Sequence, residues 1–92
     1  MKYNLDLTHD TYKFLEKLSP KHFKQIFKAI LQLLEEPRPN DSISMKGYSG
    51  LFRKDIGEYR IIYSIEKETI KIPLIGKRNG DEVYEQLKRL QS

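Results

Sequence analysis

Ninety-two residues, 38% of them hydrophobic and 33% charged, make one domain spanning residues 1–92, with material for a single core and little to spare. No apolar run approaches the roughly 18 residues of a membrane-crossing helix, and ten aromatic residues amid Ile, Leu and Val argue against disorder. The absence of cysteine removes disulfide and thiolate-metal chemistry, and MKYNLDLTHD lacks the apolar stretch of a signal peptide, so a cytoplasmic protein without membrane association is expected. The formal charge of +4, concentrated beyond Met45, leans toward nucleic acid or an acidic protein as partner, although an ordinary soluble surface fits that charge equally well.

Lys2 to Leu7 alternates, with Tyr3, Leu5 and Leu7 on one side, and predicts a short half-buried strand. Thr8 or Asp10 then caps a helix to about Leu18, carrying Thr11, Leu15 and Leu18 on one face beside Phe14. Ser19-Pro20 restarts the chain, Ser as N-cap and Pro in the first turn, where its missing N–H costs nothing. The second helix shows an apolar stripe at Phe23, Ile26, Phe27, Ile30, Leu33 and Leu34, with Lys21, Lys24, Lys28 and Gln32 toward water. It stops near Glu36, before Pro37-Arg38-Pro39. The short link between the helices predicts an antiparallel hairpin.

Beyond Tyr48-Ser49-Gly50 the period changes to two. Leu51–Ile56 and Tyr59–Ile65 flank Gly57-Glu58, which suits a tight turn with Gly at its first central position. Glu66-Lys67-Glu68 turns the chain again into Thr69–Ile75. Pro73 removes a ladder donor, so this third strand of the meander is expected at an edge or to carry a bulge. Asp81–Leu90 places Val83, Leu87 and Leu90 at helical spacing. The fold class is therefore α+β: strand, antiparallel helix hairpin, three-strand antiparallel meander and short C-terminal helix, with the helices expected on one face of the sheet.

A turn at Gly57-Glu58 sets Ile56 opposite Tyr59, Asp55 opposite Arg60, Lys54 opposite Ile61 and Arg53 opposite Ile62. Phe52, Lys54, Ile56, Tyr59, Ile61, Tyr63 and Ile65 then share the face meant for the helices. Leu51, Arg53, Asp55, Arg60, Ile62 and Ser64 share the other. With Lys77 and Arg78 just past the third strand and Tyr84 at the start of the last helix, the second face can become a concave cationic site with one aromatic ring. Guanidinium groups match phosphate, and a ring can stack on an exposed base. The competing reading is that Asp55 neutralises Arg60, the arginines being a solvated face and Tyr84 a partly packed helix residue. His9 and His22 fall near helix starts and suit surface or capping roles, and no metal-ligand, phosphate-loop or dinucleotide spacing occurs.

Two stretches, KGYSGLFRKDIGEYRIIYSI (46–65) and IGKRNGDEVYEQL (75–87), together with the order of elements along nearly the whole chain, resemble the RelE/ParE toxin superfamily, and its RelE branch more closely. The resemblance implies a RelE-like microbial ribonuclease-type fold and a toxin of a type II toxin–antitoxin pair. Such a toxin enters the A site of the 30S ribosomal subunit and cuts the mRNA there, using no metal or other cofactor. The ribose 2′-hydroxyl would attack the adjacent phosphate, leaving a cyclic phosphate and a 5′-hydroxyl. By the same resemblance Arg60 of "Y-R" stabilises phosphate charge. Arg78 of "G-K-R" stabilises charge or protonates the leaving oxygen, and Tyr84 of "V-Y" stacks on the nucleotide or assists proton transfer. Arg53, Lys54, Asp55 and Lys77 would border the substrate, Arg53 standing where many members carry the first of two basic residues. Asp55 occupies the second of those positions, a departure that tethers Arg60, weakens phosphate affinity or takes over proton transfer. Lys54 is one residue out of phase, its long stem able to reach an edge. The implied partner is a cognate, RelB-like, acidic antitoxin. The alternatives are a ParE-like inhibitor of DNA gyrase without nuclease activity and a catalytically inactive basic binding module.

Overall fold

The computed structural model describes residues 2–79 and 82–91. Its elements run β1 (Asn4–Leu7), α1 (His9–Glu16), α2 (Pro20–Glu35), β2 (Ile43–Ser44), β3 (Leu51–Ile56), β4 (Tyr59–Glu66), β5 (Thr69–Lys77) and α3 (Glu82–Gln91). Thr8 caps α1, its side chain accepting from the Thr11 amide, while Ser19 caps α2 ahead of Pro20. These are the roles that short hydroxyl side chains and Pro play at helix starts. α1 ends two residues before the predicted Leu18, and Asp81, predicted to open the last helix, lies outside the described residues. No described helix is long and apolar enough to cross a membrane.

The strands form one sheet in the order β1-β5-β4-β3-β2, antiparallel except for β1, which runs parallel to β5. The β3–β4 register is the predicted one, Asp55 opposite Arg60 and Arg53 opposite Ile62. Gly57 sits at φ +58 at the first central position of the turn, a conformation that glycine adopts without a side-chain penalty.

Pro73 lies in an interior strand, and the bulge is the outcome that occurs. Ile62 pairs with Leu74 but Ser64 with Lys71, so Ile72 and Pro73 together oppose Tyr63. The proline falls just past the last β1 pair, Leu7 with Ile72, where no parallel ladder needs its missing N–H. The extra residue also resets the alternation. Ile70 and Ile72 face α1 and α2, yet Leu74 faces the opposite side and Ile75 faces the helices again. Thr11 Oγ1 donates to the Ile72 carbonyl at 2.9 Å and Thr8 Oγ1 to the Pro73 carbonyl at 3.1 Å, so the start of α1 pins the bulge.

The larger core lies between the sheet and the helix hairpin, where Ile26, Ile30, Leu33, Ile61, Tyr63, Ile70 and Ile72 are fully buried. Phe23 and Phe27 do not join it. They lie on the flank of the stripe, 40% and 36% exposed, their rings stacked with centroids 5.6 Å apart. The expectation that all helices share one face is corrected by α3, which covers the opposite face. There Val83 and Leu87 pack with Ile62, Leu74 and Met45 in a smaller second core. A helix with two buried apolar side chains needs a sheet surface, and the hairpin already fills the other one.

Candidate functional site

The second face gathers side chains from β3, β4 and α3. Strand alternation directs Arg53 and Asp55 of β3 and Arg60 of β4 to it, and α3 brings Tyr84 from above. Gly76, directly opposite Arg60 in the ladder, sets how close α3 can come. A Cβ on Gly76 would stand 2.7 Å from Val83 Cγ2, so the glycine makes room for the helix.

Arg60 is 9% exposed and lies at the centre of the group. Its Nε donates to Asp55 Oδ1 at 2.7 Å and its Nη2 to Oδ2 at 3.2 Å, a side-on, two-pronged grip on the carboxylate. Its Nη1 donates to the Tyr84 hydroxyl at 2.9 Å, and Arg53 Nη1 donates to the same oxygen at 3.0 Å. One phenolic oxygen thus accepts from two guanidinium groups. The Arg60 carbon lies 5.6 Å from the centroid of the Tyr84 ring.

These contacts fix the charge states. The hydrogen bonds from Arg60 hold the Asp55 carboxyl below the ordinary carboxylate range against its partial burial, and the charges of Arg60, Arg53 and Arg78 add to the effect. The Asp55 hydrogen bonds likewise raise Arg60 above its ordinary value against the cost of burial.

Arg78 is exposed just beyond β5, its backbone N–H bonded to the Glu58 carbonyl at 2.9 Å. Because the bulge has reset the alternation, the end of β5 carries Arg78 toward the side that holds Arg60, near enough for its charge to act on Asp55. Lys54 and Lys77, expected to border the substrate, are not brought to this group. Lys54 is out of phase on the hairpin side, where it pairs with Asp41. Lys77 stands opposite Tyr59 in the ladder, on that same side. The charge pair of the competing reading is made, since Asp55 does tie down Arg60, but Arg53 and Tyr84 converge on the same centre instead of splaying into solvent.

A cleft of roughly 250 Å³ opens beside Tyr84, lined by Ile43, Ser44, Met45, Lys46, Arg53 and Tyr84. The sequence carries no signal for Ile43–Ser44 as a strand, because two residues leave no alternation to detect. The glycines at 47 and 50, at φ +84 and +80, mark only the turn that follows. His22, assigned to the helix start, also meets the sheet, its Nδ1 lying 3.2 Å from the Tyr59 hydroxyl. Among the described residues no three His, Cys, Asp or Glu stand together as metal ligands would.

The profile of the family described as ParE toxin of type II toxin–antitoxin system, parDE, matches residues 5–82. The chain belongs to this toxin family. Its fold also places it in the wider RelE/ParE superfamily. A chain of the archaeal RelE–RelB complex from Pyrococcus horikoshii OT3 is 29% identical, with a TM-score of 0.76 over 86% of this chain and 98% of that one. The isolated E. coli RelE toxin is 27% identical, with a TM-score of 0.74 over 96% and 98% of the two chains. A free-state mutant of the same E. coli toxin is 25% identical, with a TM-score of 0.79 over 98% and 99%. No curated protein sequence matches the chain.

Proposed function

We propose that this toxin is a ribosome-dependent endoribonuclease that cleaves mRNA in the A site of the 30S subunit by metal-free attack of a ribose 2′-hydroxyl on the adjacent phosphate. One observation carries the reading: the convergence of Arg53 and Arg60 on a single oxygen, that of Tyr84, at 3.0 and 2.9 Å. Two guanidinium groups aimed at one oxygen form a pre-organised anion site, and preorganised positive charge is a large aid to a reaction that builds negative charge on the oxygens of a phosphorane. In this scheme Arg60 stabilises the phosphorane and Arg78, exposed at the rim, reaches the leaving oxygen. Tyr84 stacks on the nucleotide once its hydroxyl gives up its place between the arginines. The partner is a RelB-like antitoxin, as in the archaeal RelE–RelB complex, with an acidic charge to complement the +4 of this chain, and the site of action is the cytoplasm.

A gyrase-inhibiting role is the second reading, favoured by the ParE description of the matching family and by the Asp55 carboxylate that offsets Arg60. Adding the protein to a translating extract and mapping new 5′-hydroxyl ends by primer extension separates the two. The nuclease reading expects cuts within codons on ribosome-bound mRNA, reduced by about 10²- to 10³-fold in Arg60→Ala and Arg78→Ala. Toxicity that survives Arg78→Ala, without mRNA ends and with supercoiling inhibited, establishes the gyrase reading instead.

A further inference from the structure

Arg60 offers five N–H donors, two along its side edge, two across its end edge and one on Nη1 facing Cδ. The side edge, Nε and Nη2, lies on the two oxygens of Asp55. Of the two nitrogens that form the end edge, Nη1 and Nη2, Nη1 donates to the Tyr84 hydroxyl. Carboxylate and phosphate are both held best by paired parallel N–H groups, so one guanidinium can grip Asp55 along its side and a phosphate across its end. The Tyr84 hydroxyl occupies a place that a phosphate oxygen would take.

We infer that Asp55 is a positioning residue: it locks the Arg60 guanidinium side-on so that the end edge, vacated by the Tyr84 hydroxyl, receives the phosphodiester of the RNA substrate. This rests on the nuclease reading above and assigns a role to the acid at the position where the family resemblance implies a basic residue. Two other roles for the carboxylate fit the geometry poorly. As general base it is poorly suited, since the two hydrogen bonds from Arg60 stabilise the ionised carboxylate and weaken its pull on a proton. As a mere charge quencher it would not need direct cross-strand pairing with Arg60, which the two-residue turn at Gly57-Glu58 imposes. An aspartate has only two side-chain torsions, so a guanidinium clamped to it from the neighbouring strand loses most of its own freedom before substrate arrives.

The test is side-chain nitrogen NMR on the full chain, for wild type, Asp55→Asn and Asp55→Ala, titrated with inorganic phosphate and paired with single-turnover cleavage on ribosomes. In wild type the Arg60 Nε–H signal should be sharp and should stay in place while phosphate shifts the Nη signals. It should be lost to exchange in Asp55→Ala and weakened in Asp55→Asn, with backbone spectra showing each variant folded. The cleavage rate at saturating protein should fall by about 10- to 100-fold in Asp55→Ala, with the half-saturating concentration little changed. A persistent Nε–H signal in Asp55→Ala, displacement of that signal by phosphate in wild type, or cleavage by the variant as fast as wild type overturns the role. If wild type leaves mRNA uncut, the nuclease reading falls by itself, and the phosphate titration still settles whether Asp55 aims Arg60 at a phosphate.

Discussion

A guanidinium that is 9% exposed must have its charge answered within the protein. At Arg60 the answer is a carboxylate from the adjacent strand and a phenolic oxygen from α3, and no described buried side-chain polar atom lacks a hydrogen-bond partner. This arrangement has a definite acid signature. The folded-state pKa of Asp55 lies below the ordinary aspartate value of 3.8, so its carboxylate stabilises the fold at all pH above that value. The contribution is lost as pH falls through the depressed value. In urea unfolding, wild type should exceed Asp55→Asn by on the order of 1 kcal/mol, reduced by the solvent that reaches the carboxylate. The difference should hold from neutral pH down to roughly pH 5 and shrink toward zero below the ordinary value. A gap that widens in acid would mean that the carboxylate is not held ionised by Arg60.

Among the elements, β5 does most to place the site, and it does so through its bulge. By inserting Ile72-Pro73 opposite Tyr63 it moves Gly76 from the hairpin side to the Arg60 side and carries Arg78 with it. The Thr11 hydroxyl, buried and 2.9 Å from the Ile72 carbonyl, holds that insertion. Thr11→Val, which keeps the shape and removes the donor, should cost about 1–3 kcal/mol in denaturant unfolding. Cleavage should fall further than the lost stability accounts for, with faster amide exchange over 74–78. Full activity in a destabilised Thr11→Val would show that the bulge supports the fold without aiming the site. This element also marks how far the sequence could be read. The β3–β4 register was legible because a glycine at the first central position and two-fold alternation leave one pairing, and the Asp55–Arg60 contact follows from it. Pro73 announced an irregularity but could not say that the alternation would reset, which depends on where β1 stops pairing. Likewise Val83 and Leu87 showed that α3 must pack somewhere, while its side of the sheet was decided by space the hairpin had already taken. The stripe of α2 could not reveal that the flank bearing Phe23 and Phe27 would stay uncovered.

For the molecule as a whole, the sheet separates two cores of unequal size, and the candidate site belongs to the smaller. Among the described residues the hairpin side buries side chains from α1, α2, β4 and β5, with β1 and β3 packed against them, whereas α3 brings Val83, Leu87 and part of Tyr84 to the other side, with two hydrogen bonds on the Tyr84 hydroxyl. Regions with few buried apolar contacts open locally at free energies well below that of global unfolding. The α3 amides should therefore exchange through a local opening, while the centre of β4, paired on both sides, exchanges only with global unfolding. Gly76→Ala tests the link between this opening and the site, because the new Cβ would meet Val83 Cγ2 at 2.7 Å and a valine, stiff at χ1 in a helix, passes the displacement on to α3, lifting it. Protection in α3 should drop by about 1–3 kcal/mol, with β4 little affected. The same lift draws Tyr84 away from Arg53 and Arg60, leaving the end edge of Arg60 open to an anion, so inorganic phosphate should shift the Arg60 Nη signals at lower concentration than in wild type. If α3 and β4 instead report one common opening free energy, the helix is a fixed wall over the arginines, and Tyr84 can leave them only by turning within it.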